Sequence, residues 1–328
     1  MYRNKIILCI PFICMFLVCS SQPVDVETFF GKKYKMINGA TGYLATTSLI
    51  SLDSVLKPEI QKKFTSLPDK GVIFLGYDPY YYWYRFSVSN KDSTSKNLIL
   101  LLGGLGIRKA ELWKKKDNQW YFTAVTGYQY PLKKRPYRYA HPAFPIQVSP
   151  VSIDTFLIRV DESHAYKSIS FVLADAATMK IFEHRFYFIM GIIIGLLLLF
   201  ALFNLYLFFT TKENIHIWYA LYILMMSLFI IKDEGIDPEF LGLDSLNGYR
   251  MTSMLAIASL AIGFLLQMVQ SFLTNTTQSK ALYRSMSYLK WFLFLMGLVQ
   301  FIVFYIQPSN TIELIVFHIT NKAGIAAI

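Results

Sequence analysis

Long apolar runs after residue 184 constrain this chain more than any other feature, because they divide it between two solvents. The first run lies within residues 186–209, which as a helix would be about 36 Å long and would cross a hydrocarbon layer of about 30 Å. Within lipid, a single segment satisfies its own backbone polar groups only as a helix. The later runs lie at 215–231, 251–273, 287–306 and 312–328.

Residues 184–328 are therefore predicted to form an α-helical multi-pass membrane domain with four complete spans and a fifth. The fifth run ends at Ile328 without a polar flank, so we expect the sequence to be truncated there.

The N-terminus has the pattern of a signal peptide. Residues 1–21 place two basic residues before an apolar stretch at 6–18, and small polar residues follow. This stretch is too short for a stable span of about 20 residues. All three cysteines lie in this segment, so no disulfide is expected beyond it. Cys19 resembles the lipid-acceptor cysteine of bacterial lipoproteins, and ordinary cleavage after Ser20 or Ser21 is the alternative.

The polar connections predict the orientation of the chain. The loop DEGIDPEFLGLDSLNGY carries five acidic residues and no Lys or Arg, whereas TNTTQSKALYRSM carries Lys280 and Arg284 and no acidic residue. Since basic loops stay in the cytoplasm, residues 22–183 are predicted to lie outside a bacterial cytoplasmic (inner) membrane. Most of the net charge of +11 belongs to this exported part, and its location excludes nucleic acid as a partner.

Short alternating segments separated by Gly, Pro and Asn predict that residues 22–183 form an all-β sandwich. The sequence KKDNQ has the composition of a hairpin turn. A helical segment at 51–64, interrupted at Pro58, precedes the predicted strands. The strands are predicted at 72–77, 81–89, 97–102, 109–114, 120–126, 154–160 and 168–174.

The strand YYWYRFSVS supplies the candidate binding site, because alternation gives it two different faces. The face of Tyr82, Tyr84, Phe86 and Val88 is apolar enough for the core. The opposite face joins an indole, a guanidinium and hydroxyls, which can stack on a sugar and donate to its oxygens or to a carboxylate. A structural alternative has Arg85 stacked on Trp83 as a cation–π pair beneath a loop. The candidate ligand-binding residues are Trp83, Arg85, Ser87 and, more remotely, Arg135.

Two regions carry a family resemblance. The stretches FLGYDPYYYWYRFSVSN and TGYQYPLKKRPYRYAHPAFPI, followed by FLIRV, resemble the exported sensory domain of bacterial seven-transmembrane receptors with diverse intracellular signalling modules. LFNLYLFFTTKENIHIWYALYIL resembles the connection between the first two helices of those receptors. The resemblance implies a jelly-roll-like sandwich similar to carbohydrate-binding modules, with Trp83 and Arg85 at its Trp-x-Arg positions. It also implies a cytoplasmic output module, which would lie beyond Ile328.

Two function classes are consistent with these patterns. The first is a membrane sensory receptor whose exported domain binds a small ligand, such as a carbohydrate, and signals through its helices to a cytoplasmic module or protein. The alternative is a multi-pass transport or membrane-enzyme subunit with an accessory exported binding domain. Polar residues within the spans, such as Asn204, Gln267 and Gln270, favour hydrogen bonds between helices over a transport path, which would show acidic residues at the midplane.

No catalytic residue, metal site or cofactor is predicted. The sequence contains no HExxH, GxSxG or Walker motif, and its five histidines lack the spacing of metal ligands. The lipid bilayer is the partner that the sequence indicates most directly, and the oligomeric state is not indicated.

Overall fold

The computed structural model describes residues 34–38, 41–68, 71–77, 80–90, 92–104, 107–161, 166–236, 250–273 and 280–306. The predicted signal peptide with Cys19, most of the acidic loop and the predicted fifth span lie outside the described residues. Within the described residues, an antiparallel β-sandwich precedes four long apolar helices. The predicted fold class, a β-sandwich followed by a helical membrane domain, is confirmed.

The sandwich consists of two antiparallel sheets. One has the order β1-β11-β6-β9, with β4 also paired to β11, and the other has the order β3-β2-β5-β10-β7-β8. The strands are β1 (Tyr34–Met36), β2 (Gly42–Thr46), β3 (Thr65–Ser66), β4 (Ile73–Tyr77), β5 (Tyr81–Asn90), β6 (Lys96–Gly103), β7 (Lys109–Lys116), β8 (Gln119–Thr126), β9 (Ala143–Val148), β10 (Ser152–Asp161) and β11 (Tyr166–Asp175).

All seven predicted strands are present, and the predicted turn joins β7 to β8. Its two central residues, Asp117 and Asn118, have φ of 48° and 66°, as a tight hairpin turn requires. The predicted helical segment forms two short helices, α1 (Leu52–Val55) and α2 (Pro58–Gln61). The break falls at Pro58 because proline has no N–H to continue the first helix and is favoured at the start of the second.

Strand β5 has the predicted division of faces. Tyr84 is fully buried between the sheets, where its ring lies 4.9 Å from that of Phe171 on β11. Tyr82 and Phe86 belong to the same core, and Val88 packs against it. The opposite face of β5 points out of the sandwich, and the segment that contains α1 and α2 packs over part of it.

Four helices cover the four predicted spans: α3 (Ala176–Thr211), α4 (Asn214–Asp233), α5 (Arg250–Leu273) and α6 (Lys280–Ile306). Helix α3 begins ten residues before the predicted apolar run and follows β11 without a linker. The Asp175 carboxylate, at the end of β11, accepts a hydrogen bond of 2.7 Å from the Thr178 N–H, which caps the helix. At 36 residues, α3 is about 54 Å long, so its first turns extend beyond the hydrocarbon layer.

Polar side chains within the spans connect neighbouring helices, as predicted. Lys290 Nζ donates to Gln267 Oε1 at 2.5 Å and to Gln270 Oε1 at 2.8 Å, which joins α6 to α5. Asn204 Oδ1 and His216 Nδ1 lie 3.4 Å apart between α3 and α4. Such contacts keep polar groups away from lipid and fix the packing of the helices.

Candidate functional site

Trp83 lies beneath the segment that contains α1 and α2 and has no exposed area. Its ring stacks on that of Trp113 at 5.3 Å, and the Arg159 guanidinium lies 5.7 Å from the Trp83 ring centroid. The structural alternative, with Arg85 stacked on Trp83, is therefore wrong: the cation over the Trp83 ring is Arg159, and Arg85 lies over Phe64 instead. A sugar ring cannot reach the Trp83 indole in this structure, because apolar side chains such as Val55 cover it.

Arg85 lies on the same face of β5 but at the border of this cover. Its Nη1 donates to Gln61 Oε1 at 2.5 Å, and its Cζ lies 5.0 Å from the ring centroid of Phe64. Both partners belong to the end of the segment that follows α1. They hold the guanidinium in one place and leave it half-buried.

A shallow groove of about 290 Å³ opens beside Arg85. Strand pairing assembles it, because β5 pairs with β2, which in turn pairs with β3. Ser87 Oγ lies 2.9 Å from Thr155 Oγ1 at its edge. The residues that line the groove are Gly42, Phe64, Thr65, Ser66, Arg85, Phe86 and Ser87.

The groove combines one cation, several hydroxyls and the ring of Phe64, since the Phe86 side chain belongs to the core. A guanidinium has five N–H donors in a planar fork that fits a carboxylate, and Gln61 accepts from Nη1. The hydroxyls of Thr65, Ser66 and Ser87 can both donate and accept. This chemistry suits a small oxygen-rich ligand.

Arg135 is not part of this groove. It lies in the loop between β8 and β9, residues 127–142, and is almost completely buried. Its Nε donates to the Tyr130 carbonyl at 3.0 Å, and its Nη1 donates to the carbonyls of Tyr139 and Ala140 at 3.2 and 2.9 Å. The guanidinium thus joins the two ends of the loop, and the structure does not bring it together with Arg85.

The same loop packs on the first turns of α3. The Tyr139 ring lies 5.8 Å from that of Phe186 and 6.1 Å from that of Tyr187. Burial, followed by the nearby Tyr187 and Glu183, raises the pKa of Tyr139 well above its usual value. Burial and a hydrogen bond to Glu183 likewise raise the pKa of Tyr137. Both phenols therefore stay neutral, as an apolar contact requires.

A second contact of the loop reaches α4. Tyr128 Oη lies 3.3 Å from His141 Nδ1, and His141 Nε2 lies 3.9 Å from Glu234 Oε2, just beyond the end of α4. Ala140 belongs to an apolar cluster with Ile194 of α3 and Ile231 of α4. No sequence pattern predicted this junction, although the tyrosines of YRYAHP are of the type that is enriched at membrane interfaces.

Metal binding has no support in the part of the chain that the structure describes, where no three His, Cys, Asp or Glu side chains converge.

Two family models match this chain, one for each structural part. The model described as "7TMR-DISM extracellular 2" matches residues 40–173, and the model described as "7TM diverse intracellular signalling" matches residues 186–325. The first match covers the sandwich from β2 almost to the end of β11, and the second begins at Phe186, where α3 meets the loop. No curated protein matches the chain.

Proposed function

Because this chain belongs to the family of seven-transmembrane receptors with diverse intracellular signalling modules, membrane sensory receptors with an extracellular domain, we propose that its sandwich binds a small oxygen-rich ligand beside Arg85. The ligand class is a carbohydrate, and a sugar acid fits best. Arg85 pairs with the carboxylate, and the hydroxyls of the groove bind the ring oxygens. Trp83 supports the groove from beneath and does not touch the ligand.

The observation that carries this proposal is the fixed position of Arg85. Gln61 and Phe64 hold its guanidinium at the border of the groove, so little side-chain entropy remains to be lost on binding. Both partners come from the segment around α2. A ligand that pairs with Arg85 therefore also acts on the cover that packs over the sheet.

Signal transmission is proposed to run through the junction. Helix α3 continues β11 without a linker, and the loop 127–142 packs on α3 and reaches the end of α4. A change in the packing of the sandwich therefore reaches two membrane helices through short, packed contacts. The recipient of the signal is a cytoplasmic module or protein.

We place the sandwich outside the bacterial cytoplasmic membrane and the start of α6, at Lys280, inside. Basic residues at that end of α6 support this orientation. An alkaline phosphatase fusion after Asp175 should be active, and one after Lys280 should be inactive. The opposite pattern would require an inverted topology.

Ligand binding is tested on the full chain in nanodiscs with a panel of neutral oligosaccharides and uronic-acid oligosaccharides. At least one uronic acid should bind, and Arg85→Ala should weaken it at least about tenfold, since a charge-assisted hydrogen bond contributes about 1.5–3 kcal/mol. Arg108→Ala is the matched control, because Arg108 is also bonded to a glutamine, Gln129 Oε1, at 3.4 Å. Equal binding by both variants, or no binding by any saccharide, would contradict the proposal.

A further inference from the structure

A collar of basic side chains surrounds the junction of the sandwich with α3. Three belong to the loop 127–142 and three to the first turns of α3, and all six are exposed. Acidic side chains of the same region are engaged within the junction, since Asp175 caps α3, Glu183 bonds Tyr137 and Glu234 faces His141. The collar consists of Lys133, Lys134, Arg138, Lys180, His184 and Arg185.

The length of α3 gives the level of this collar relative to the membrane. Counted from Thr211 at the inner end, a hydrocarbon layer of about 30 Å ends near Gly191. The preceding two turns of α3 therefore cross the headgroup layer on the exported side. Phe186 and Tyr187 lie in those turns, and Tyr139 packs on both. The loop is thus held at the level of the lipid headgroups.

The basic residues of the loop lie on a preformed surface. Lys133 and Lys134 belong to a 3-10 turn, Leu132–Lys134, and Arg135 directly follows it. The buried Arg135 guanidinium connects this turn to the carbonyls of Tyr139 and Ala140. The loop therefore keeps its shape without a ligand, and binding costs little ordering of the backbone.

We propose that this collar binds the phosphate groups of anionic phospholipids in the exported leaflet, such as phosphatidylglycerol. Basic residues near a span are depleted on the exported side of membrane proteins, so a concentration of them at headgroup level points to a specific partner. Lys and Arg are the side chains that recognise phosphate, Lys as a point charge and Arg through its fork. Bound lipid would anchor the loop on α3 and hold the sandwich upright on the membrane.

The test uses the full chain, purified in a neutral maltoside detergent and titrated with fluorescent phosphatidylglycerol or phosphatidylcholine at low salt. The wild-type chain should bind phosphatidylglycerol more tightly than phosphatidylcholine. The triple variant Lys133→Gln, Lys134→Gln and Arg138→Gln should weaken its binding by about fivefold for each residue replaced, with phosphatidylcholine binding unchanged. The charge-matched control replaces three exposed lysines on the cover of the six-stranded sheet: Lys57→Gln, Lys62→Gln and Lys63→Gln.

Three results would overturn the proposal. The first is an equal loss of affinity in the two triple variants, which would show a nonspecific effect of net charge. The second is equal binding of both lipids by the wild type, which would show that the collar is only solvated. The third is displacement of the lipid by inorganic phosphate at equal concentration, which would make free phosphate the ligand. Arg185→Gln, within the two turns of α3 at headgroup level, should likewise weaken phosphatidylglycerol binding by about fivefold without any change in the loop.

Discussion

His141 and Glu234 face each other across the junction of the sandwich with the membrane helices, with Nε2 and Oε2 3.9 Å apart. The histidine lies near the end of the loop between β8 and β9, and the glutamate follows α4. Both side chains keep contact with solvent, with exposed fractions of 23% and 32%. Partly solvated pairs of this kind contribute little to stability, so the junction depends mainly on the aromatic packing beside them.

A comparison of variants at the junction tests this order of contributions. Tyr139→Ala should lower the free energy of unfolding of the sandwich in the full chain by about 3–5 kcal/mol, because it removes a buried aromatic side chain. A double-mutant cycle of His141→Ala and Glu234→Ala should give a coupling energy below about 1 kcal/mol. Urea titrations in detergent measure both. The reverse order would show that the contact between His141 and Glu234 holds the junction together.

Trp83 is expected to stabilise the sandwich, and Arg85 to bind ligand. Trp83→Ala should lower the free energy of unfolding of the sandwich by about 3–5 kcal/mol, because it opens a large cavity beneath α1 and α2. Arg85→Ala should lower the free energy of unfolding by less than about 1 kcal/mol, because the Arg85 side chain is half-exposed. Thermal unfolding of the two variants gives the comparison. A mild effect of Trp83→Ala would mean that the cover detaches readily and that the indole is accessible after all.

Acid sensitivity should come partly from Asp154. Burial would raise its pKa, but the Lys114 ammonium at 2.7 Å and the Ser149 N–H at 2.8 Å outweigh burial and hold the pKa below the usual value. A depressed pKa contributes stability that is present above about pH 4 and is lost as the pH falls further. Asp154→Asn should therefore lower the free energy of unfolding of the sandwich by about 1.5–3 kcal/mol at pH 7.

The same substitution should have a smaller effect at pH 2 than at pH 7, because the wild-type carboxyl loses its charge as the pH falls through its lowered pKa. The control is Asp92→Asn, since the Asp92–Lys96 pair is exposed. This substitution should change the free energy of unfolding by less than about 0.5 kcal/mol at either pH. A pH-independent effect of Asp154→Asn would mean that hydrogen-bond geometry, and not charge, is responsible.

Gly127 begins the loop that packs on α3, and its backbone requires glycine. Its φ is 128°, and a Cβ at this position would lie 2.3 Å from the Arg108 carbonyl oxygen. Gly127→Ala should therefore destabilise the sandwich by about 1–3 kcal/mol. Gly71→Ala is the matched control, because a Cβ there meets no atom within 4 Å. Equal melting temperatures of the two variants would contradict the assigned strain.

Alternation predicted much of the sandwich, because strands with one buried face show a period of two. It missed four strands, β1, β2, β3 and β9, and three of these have a feature that hides the signal. Strand β9 contains Pro145, which argues against a central strand, but β9 is an edge strand paired only with β6 among the described strands, where proline is tolerated. Strands β1 and β3 are three and two residues long, too short for any period.

The candidate site was predictable only in part. The pattern of β5 placed Arg85 and Ser87 on the outer face, but it could not show that a segment some 30 residues earlier covers Trp83. Thr65 and Ser66 reach the groove through the pairing of β3 with β2, a contact that depends on tertiary structure. The role of Arg135 was likewise hidden, because its partners are backbone carbonyls, which no side-chain pattern reveals.

Hydrogen exchange of the full chain in nanodiscs, with and without the saccharide that binds most tightly, tests the central claim that ligand binding in the groove is coupled to the membrane helices. Ligand should slow exchange in β5 and also in the loop 127–142 and the first turns of α3, and Arg85→Ala should abolish both effects. Protection confined to β5 and its neighbours, with the loop and α3 unchanged, would contradict the claim.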